Sequence, residues 1–185
     1  MGSSDRFSAL YQRHYRSVWA FVVRRIPVGV DAGDVVAEVF ATAWRRLDRV
    51  PAEPDTLLWL YATAGRTAAN QVRSARRRYR LRGRLAGLRD SHEPVAGPAA
   101  GEHAEVLAAL DRLRPLDREA IRLAIWEDLP VQDIATVLGC SPNAVSLRLR
   151  RAREGLRTQL APLLAAGSPP TGERAETGGH DAGHR

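Results

Sequence analysis

Residues 131–145 read Val131-Gln-Asp-Ile-Ala-Thr-Val-Leu-Gly-Cys-Ser-Pro-Asn-Ala-Val145, an order of residue types that predicts two helices joined by a tight turn. Gly139 can adopt the positive φ that ends a helix, and Ser141 followed by Pro142 is favoured where the next helix begins. The first helix is short, and its apolar side is formed by Ile134, Ala135 and Leu138. This stretch is therefore predicted to be a helix-turn-helix.

The helix after the turn has two different faces. Its buried face is predicted to consist of Val145, Leu149, Ala152 and Leu156. The opposite face carries Asn143, Ser146, Arg148, Arg150 and Arg151. The N-terminal part of such a helix can enter the major groove of DNA while arginines bind phosphates. The alternative is an ordinary helical hairpin with a solvated basic face, and the capped turn together with the arginine cluster favours DNA binding.

Helical periodicity also dominates the sequence before this motif, and no alternating strand pattern is evident. A first helix is predicted to end near Pro27 and Gly29, with an inward face of Phe7, Leu10, Tyr11, Val18, Phe21 and Val22. A second is capped by Asp31 or Asp34, with an apolar face of Val35, Val36, Val39, Phe40, Ala43, Trp44 and Leu47. A third begins near Thr56, with an inward face of Leu57, Leu60, Tyr61, Ala64, Ala68 and Val72.

These patterns predict an all-α protein of two small helical domains joined by a flexible linker. The first domain spans residues 5–80 and the second, with the helix-turn-helix, spans residues 102–165. Residues 81–101 are predicted to be the linker because their second half, rich in Pro, Gly and Ala, has no periodic apolar face. Residues 166–185 are predicted to be a disordered tail rich in Gly, Pro and small polar residues.

Charge is distributed in blocks along the 185 residues, which contain 28 basic residues, all of them arginine, and 21 acidic residues, for a net charge of +7. Arg66 to Arg89 contains nine arginines and no acid, Glu102 to Asp133 is acidic, and Arg148 to Arg157 is basic again. Such blocks indicate a polyanionic partner, first of all nucleic acid. An anionic membrane surface is the weaker alternative, because the apolar faces are already needed for the domain cores.

Several classes of protein are excluded by what the sequence lacks. The single cysteine, Cys140, excludes a disulfide framework and a multi-cysteine metal site. No catalytic or nucleotide-binding fingerprint is present and the five histidines are scattered, so we expect no enzymatic activity, cofactor, metal or small-molecule substrate. No apolar run could span a bilayer and no signal peptide is evident, which predicts a cytoplasmic protein without membrane insertion.

Several segments together resemble the extracytoplasmic-function (ECF) sigma factors. Leu113-Arg-Pro-Leu-Asp-Arg-Glu, Trp126-Glu-Asp-Leu-Pro and Leu138-Gly-Cys-Ser-Pro resemble region 4 of that family. Asp31-Ala-Gly-Asp-Val-Val-Ala-Glu-Val-Phe resembles its core-binding helix in region 2, and Trp59-Leu-Tyr followed by Arg73-Ser-Ala-Arg-Arg-Arg resembles its minus-ten helix. The resemblance covers about residues 5–162 and implies a sigma factor that binds core RNA polymerase and opens promoters.

The resemblance also implies roles for individual residues. The surface that docks on the coiled coil of the β′ subunit of core polymerase would include Asp34, Glu38, Arg45 and Arg46, and the β flap would be a further polymerase contact. Minus-ten DNA would be bound by Trp59, Tyr61, Arg66, Asn70, Arg73 and Arg77, beside a recognition loop at residues 48–55; core packing is the alternative for at least one of the two aromatic residues. Minus-thirty-five DNA would be bound by Ser141, Asn143, Ser146, Leu147, Arg148, Arg150, Arg151 and Arg153. An anti-sigma factor is an expected further partner.

Three positions depart from the family pattern. Ala37 replaces the usual glutamine of the core-binding helix, Arg66 replaces a common asparagine, and Leu147 replaces a small polar residue. Leu147 could contact a thymine methyl group instead of forming hydrogen bonds. The main rival is a helix-turn-helix repressor or activator that never contacts polymerase, but such a protein would not need the region 2 pattern.

Overall fold

The computed structural model describes residues 2–85 and 104–166, and in these residues it contains α-helices and one 3-10 turn but no strand. The helices are α1 (Ser3–Val23), α2 (Ala32–Arg45), α3 (Thr56–Leu85), α4 (Ala104–Arg112), α5 (Pro115–Trp126), α6 (Val131–Leu138) and α7 (Pro142–Ala166), with the 3-10 turn at Leu47–Arg49. The predicted all-α fold class is confirmed. The predicted linker after residue 85 and the predicted tail after residue 166 lie outside the described residues.

Helices α1, α2 and α3 pack against one another around one apolar core. Val18, Phe21, Val39 and Leu60 are fully buried there, so each helix contributes at least one large side chain without solvent contact. Burying a side chain of this size stabilises the fold by about 1.5–3 kcal/mol. The start of α2 is set by Asp31, whose Oδ1 accepts a hydrogen bond from the Gly33 amide at 2.6 Å. Of the two predicted caps, Asp31 is therefore the cap.

Helices α4 to α7 form the second half of the fold, and α6 and α7 form the predicted helix-turn-helix. Gly139 ends α6 with a φ of +62°, in the left-handed region that favours glycine. Pro142 opens α7, at the position where a missing amide hydrogen costs nothing. Ile134 and Val145, one from each helix, are fully buried between them. The local signals in the sequence are thus sufficient for this motif.

The two halves contact each other through α3 and α6 and through ion pairs at the end of α1. The Arg25 guanidinium donates to Glu119 Oε1 at 2.7 Å and to Glu127 Oε1 at 2.8 Å. Arg24 donates to the other oxygen of Glu127 at 2.6 Å. Arg25 and Glu127 are nearly buried, with 5% and 3% of their side chains exposed, and the Arg25 guanidinium also lies 3.5 Å from the centre of the Phe21 ring. We call these four charged residues the Arg25 cluster.

The structure differs from the sequence-based expectations for α1 and α2 in two ways. Helix α1 ends at Val23 and continues as a hydrogen-bonded turn up to Ile26, because a residue before proline is disfavoured in helical geometry. Tyr11 and Trp44, both predicted to face the core, are 40% and 49% exposed. Periodicity alone assigned them to the apolar faces, yet both lie at the edge of those faces, where the Tyr11 ring packs on Phe40 and the Trp44 ring on Phe7.

Helix α3 is longer than predicted and reaches Leu85, five residues past the expected domain boundary at residue 80. Arginine is a good helix former and no proline interrupts this segment, so the helix continues through the arginine run. Neither α3 nor any other helix in the described segments is apolar enough over a sufficient length to cross a membrane.

Candidate nucleic-acid interface

The outward face of α7 is open to solvent beside the turn. The Ser141 hydroxyl oxygen accepts a hydrogen bond from the Ala144 amide at 3.2 Å, so Ser141 caps the helix. Of the eight predicted contact residues, Arg148 is half-buried and the others are exposed: Ser141, Asn143, Ser146, Leu147, Arg150, Arg151 and Arg153. Leu147 is 41% exposed and places an apolar group among polar and cationic neighbours. Such a face offers hydrogen bonds and methyl contacts to base edges, and cations to phosphates.

Two of the predicted DNA-binding arginines on α7 already have partners within the protein. Arg148 Nη1 donates to Cys140 Sγ at 2.9 Å, which holds the Arg148 side chain over the turn. Arg151 Nη2 donates to Asp117 Oδ1 of α5 at 3.2 Å, and the Asp117 side chain is only 6% exposed. A phosphate contact by Arg151 would therefore compete with an ion pair that satisfies a buried carboxylate. The sequence did not indicate either contact.

Helix α3 exposes a strongly basic face. Arg66, Asn70, Arg73 and Arg77 are all exposed, as predicted for residues that contact DNA. Their hydrogen bonds are to neutral groups of the same helix: Arg66 to Thr63, Arg73 to Asn70 and Arg77 to Ser74. Because none of these arginines forms an ion pair with a carboxylate in the described part of the chain, their charge is uncompensated locally. The face can therefore attract a phosphate backbone.

The two predicted stacking residues at the start of α3 differ in exposure. Tyr61 is 4% exposed and stacks on Phe21 with 4.7 Å between ring centroids, so its ring packs in the core, the alternative expected for at least one of the two aromatic residues. The reason is that Tyr61 faces α1 across the core. Burial raises the pKa of the Tyr61 phenol above its usual 10.0, and the Glu127 carboxylate raises it further. Trp59 is half-buried and keeps part of its ring accessible.

The segment between α2 and α3 contains the predicted recognition loop, residues 48–55, and side chains hold it from three directions. Arg6 Nη2 donates to the Val50 carbonyl at 2.9 Å, and Thr56 Oγ1 donates to the Pro51 carbonyl at 2.8 Å. The third link joins His14 Nε2 and Glu53 Oε1 at 2.7 Å. Ala52, Glu53, Pro54 and Asp55 are nevertheless exposed. The loop is thus anchored to α1 while its tip faces solvent.

The outer face of α2 carries all the predicted polymerase contacts. Asp34, Glu38, Arg45 and Arg46 are exposed. Arg45 Nη2 donates to Glu38 Oε1 at 2.7 Å, but more than half of the Arg45 side chain and half of the Glu38 side chain are exposed, so this pair contributes only about 0–1 kcal/mol. A partner could therefore replace the pair at little cost.

Aromatic residues beside this face were missed as a candidate site. Helix α1 places four of them one turn apart, and two from α2 join them; we call Phe7, Tyr11, Tyr15, Trp19, Phe40 and Trp44 the aromatic strip. The Tyr11 and Phe40 rings are 4.7 Å apart, and the Phe7 and Trp44 rings are 5.1 Å apart. Tyr11, Trp19 and Trp44 remain 38–49% exposed. Three exposed aromatic side chains joined through ring contacts make this a candidate interaction surface, and the four-residue spacing on α1 was its signal in the sequence.

Comparison with protein families matches both halves of the chain. Residues 10–78 match Sigma-70 region 2, and residues 103–156 match Sigma-70, region 4. The chain is 32% identical over 170 residues to the RNA polymerase sigma factor CarQ of Myxococcus xanthus, which covers 88% of this chain and 93% of CarQ. It is 30% identical over 174 residues to the ECF RNA polymerase sigma-E factor of Escherichia coli K12, with 88% and 91% covered.

Two solved structures have a similar fold. One is CnrH in complex with the cytosolic domain of CnrY, with a TM-score of 0.60, 27% identity, and coverage of 88% of this chain and 89% of that chain. The other is the sigma factor RpoE in complex with the anti-sigma factor NepR from Bartonella quintana, with a TM-score of 0.59, 23% identity, and coverage of 84% and 96%.

Proposed function

Because this chain belongs to the sigma-70 family, as an ECF RNA polymerase sigma factor, we propose that it divides promoter recognition between its two halves. In this proposal residues 5–80 form the domain that binds core polymerase and minus-ten DNA. Residues 102–165 form the domain that binds minus-thirty-five DNA. The observation that supports the proposal is the presence in one chain of exposed arginine-rich faces on α3 and α7 and of an exposed face of mixed charge on α2 beside the aromatic strip.

Core polymerase would dock on the outer face of α2. Asp34, Glu38, Arg45 and Arg46 supply charged groups, and the adjacent aromatic strip supplies apolar area that is already partly desolvated. The family resemblance identifies the coiled coil of the β′ subunit as the partner for this face, and the β flap as the partner of the second domain. Aromatic residues at the centre of an interface typically dominate its affinity, so Trp44 is the residue that should matter most here.

Minus-ten DNA would be bound by the exposed face of α3 and the loop at residues 48–55. Arg66, Arg73 and Arg77 would neutralise phosphates, and Asn70 would hydrogen-bond to sugar or base. Single-stranded DNA requires a stacking surface beside positive charge, and the accessible part of Trp59 provides it now that Tyr61 is assigned to the core. The loop would receive the flipped base whose extrusion costs a few kcal/mol.

Minus-thirty-five DNA would be bound by α7. Asn143, Ser146 and Leu147 face outward at the start of the helix, where base edges would lie, and Leu147 fits a thymine methyl group. Arg150 and Arg153 would contact phosphates, as would the N-terminal end of α7 beside Ser141. Arg148 would first have to release Cys140, and Arg151 would have to release Asp117.

A protein inhibitor is the proposed regulator. The structure of CnrH, which shares 27% of its sequence with this chain, contains the cytosolic domain of a second protein, CnrY. The resemblance to ECF sigma factors implies an anti-sigma factor in the same role. Such an inhibitor would act most simply by covering the α2 face and the aromatic strip, which core polymerase also needs.

The proposal is tested by adding the purified protein to sigma-free bacterial core RNA polymerase. We expect the two to coelute and transcripts to begin at discrete sites on fragmented genomic DNA from the source organism. Trp44→Ala should weaken coelution about tenfold or more, whereas Leu116→Ala, a matched change of an exposed apolar residue on α5, should not. Failure to coelute, together with specific duplex binding by the protein alone, would indicate a conventional helix-turn-helix regulator instead.

A further inference from the structure

His14 is the only histidine of α1, and it is nearly buried, with 5% of the residue exposed. Its Nε2 lies 2.7 Å from Glu53 Oε1 in the loop at residues 48–55. A carboxylate only accepts hydrogen bonds, so the imidazole Nε2–H must be the donor. The Glu53 side chain is 43% exposed. One partner is therefore fixed inside the α1–α3 core, while the other lies on the solvent side of the loop.

The link to His14 is the side-chain contact that reaches furthest into the loop. Arg6 and Thr56 hold the carbonyls of Val50 and Pro51, at the start of the exposed tip. Within the tip, the backbone forms one turn, from the Asp55 amide to the Ala52 carbonyl at 3.1 Å. Arg13 also approaches Glu53 Oε1, but at 3.8 Å and from a side chain that is 69% exposed. A solvated pair of that kind fixes little, so the position of the tip depends on His14.

We propose that His14 is a positioning residue for promoter selectivity: through Glu53 it holds the recognition loop in the shape that receives the minus-ten base. The inference rests on the proposed function, because it assigns the loop its role in DNA binding. A loop that is ordered before DNA arrives does not lose conformational entropy on binding, and it admits only bases that fit its existing shape. His14 itself does not contact DNA; it acts through Glu53.

The same geometry predicts which property changes when the link is broken. Glu53 lies on the solvent side of the loop, and the loop ends stay fixed by Arg6 and Thr56. Loss of the link should therefore release the tip while leaving the α2 face unchanged. Discrimination between minus-ten sequences should fall, and binding to core polymerase should not.

The experiment compares wild type, His14→Ala, His14→Gln, Glu53→Ala and the double variant His14→Ala/Glu53→Ala, each assembled with core polymerase. Initiation is measured on the promoter found for the wild type and on versions with single changes in the minus-ten element, with the minus-thirty-five element held constant. We expect each alanine variant to lower the ratio between correct and changed promoters about tenfold, the typical effect of a lost hydrogen bond to a charged group. The double variant should lose no more than either single variant, and His14→Gln, whose amide can donate, should retain part of the ratio. Arg13→Ala is the matched control and should leave the ratio unchanged.

The outcomes distinguish failure of the positioning role from failure of the proposed function. If His14→Ala does not fold, Glu53→Ala, at a half-exposed position, gives the same test. Unchanged promoter ratios in variants that still coelute with polymerase would overturn the positioning role and leave the proposed function intact. Losses that add in the double variant would also overturn it, because they would show that the two residues act independently. A wild type that neither coelutes nor starts transcripts would overturn the proposed function and, with it, this inference.

Discussion

Replacing Arg25 with methionine is expected to separate the two halves of the protein in its free state. In the native structure the Arg25 guanidinium bridges Glu119 and Glu127 across the contact between the halves. Methionine fills a similar volume but carries no charge and donates no hydrogen bond. Glu127, with 3% of its side chain exposed, would then keep only Arg24 as a partner. Separating the halves exposes the carboxylates to water. The substitution therefore destabilises the closed form, in which the halves are in contact, relative to the open form.

The size of the effect follows from the burial of the groups involved. Removing one partner of a buried ion pair costs about 3–5 kcal/mol. Arg24 still holds Glu127 at 2.6 Å and Glu119 is 26% exposed, so we expect about 2–3 kcal/mol, at and below the lower end of that range. A change of this size lowers the ratio of closed to open molecules about 30- to 150-fold.

Opening matters for function because the two promoter elements are far apart. The minus-ten and minus-thirty-five elements are centred about 25 base pairs apart, which is about 85 Å along B-form DNA. Helix α3 packs directly on α6, the first helix of the helix-turn-helix, so the closed form cannot bind both elements of one promoter. A more open variant should therefore bind core polymerase and promoter with a lower apparent dissociation constant, since less free energy is spent on opening.

Small-angle X-ray scattering of the free full chain measures the change, and we expect a larger radius of gyration for Arg25→Met than for the wild type. Arg157→Met is the matched control, because Arg157 pairs with Glu154 on the surface with about 70% of both side chains exposed. Its scattering should equal that of the wild type. A free Arg25→Met protein with wild-type scattering and wild-type polymerase affinity would refute the idea that the Arg25 cluster holds the halves together.

Three further changes have defined outcomes. Because the folded state raises the pKa of Tyr61 above 10.0, the unfolded chain loses this proton first, and the free energy of unfolding should fall as pH rises above 10. Denaturant unfolding from pH 8 to 11 measures this fall. Tyr61→Phe should remove the part that Tyr61 causes, whereas Tyr79→Phe, at a 70% exposed position, should not. Gly139→Ala should lower the free energy of unfolding by about 1–2 kcal/mol through backbone strain alone, since nothing lies within 4 Å of the added Cβ; an unchanged value would contradict the left-handed geometry of the turn. Arg150→Ala should reduce the slope of log affinity against log salt by about 0.9 for minus-thirty-five duplex DNA on the holoenzyme, and an unchanged slope would remove Arg150 from the phosphate contacts.

The helix-turn-helix could be predicted from local sequence, whereas the exposure of individual rings and the contacts between residues distant in sequence could not. Gly139, Ser141 and Pro142 each report on their own backbone, so sequence alone was enough to place the turn. Trp44 shows where periodicity fails: it lies on the apolar stripe of α2, yet the packing of α1 against α2 leaves about half of it exposed, whereas Tyr61, also assigned to an inward face, is buried. The contact between Arg25 and Glu119 joins residues 94 positions apart, and nothing in either local sequence indicates the other.

Helix α6 has consequences for how this chain can diversify. Its eight residues pack on α3 on one side and on α7 on the other, so a substitution in α6 must fit both contacts. The outward positions of α7, such as Asn143, Ser146 and Leu147, belong to neither surface. In the proposed binding mode, mutations at these positions change the DNA sequence that α7 contacts without disturbing the contact between the halves, while α6 is constrained by both of its packing surfaces. A paralogue could acquire a different set of target genes by substitutions at a few solvent-facing residues of α7.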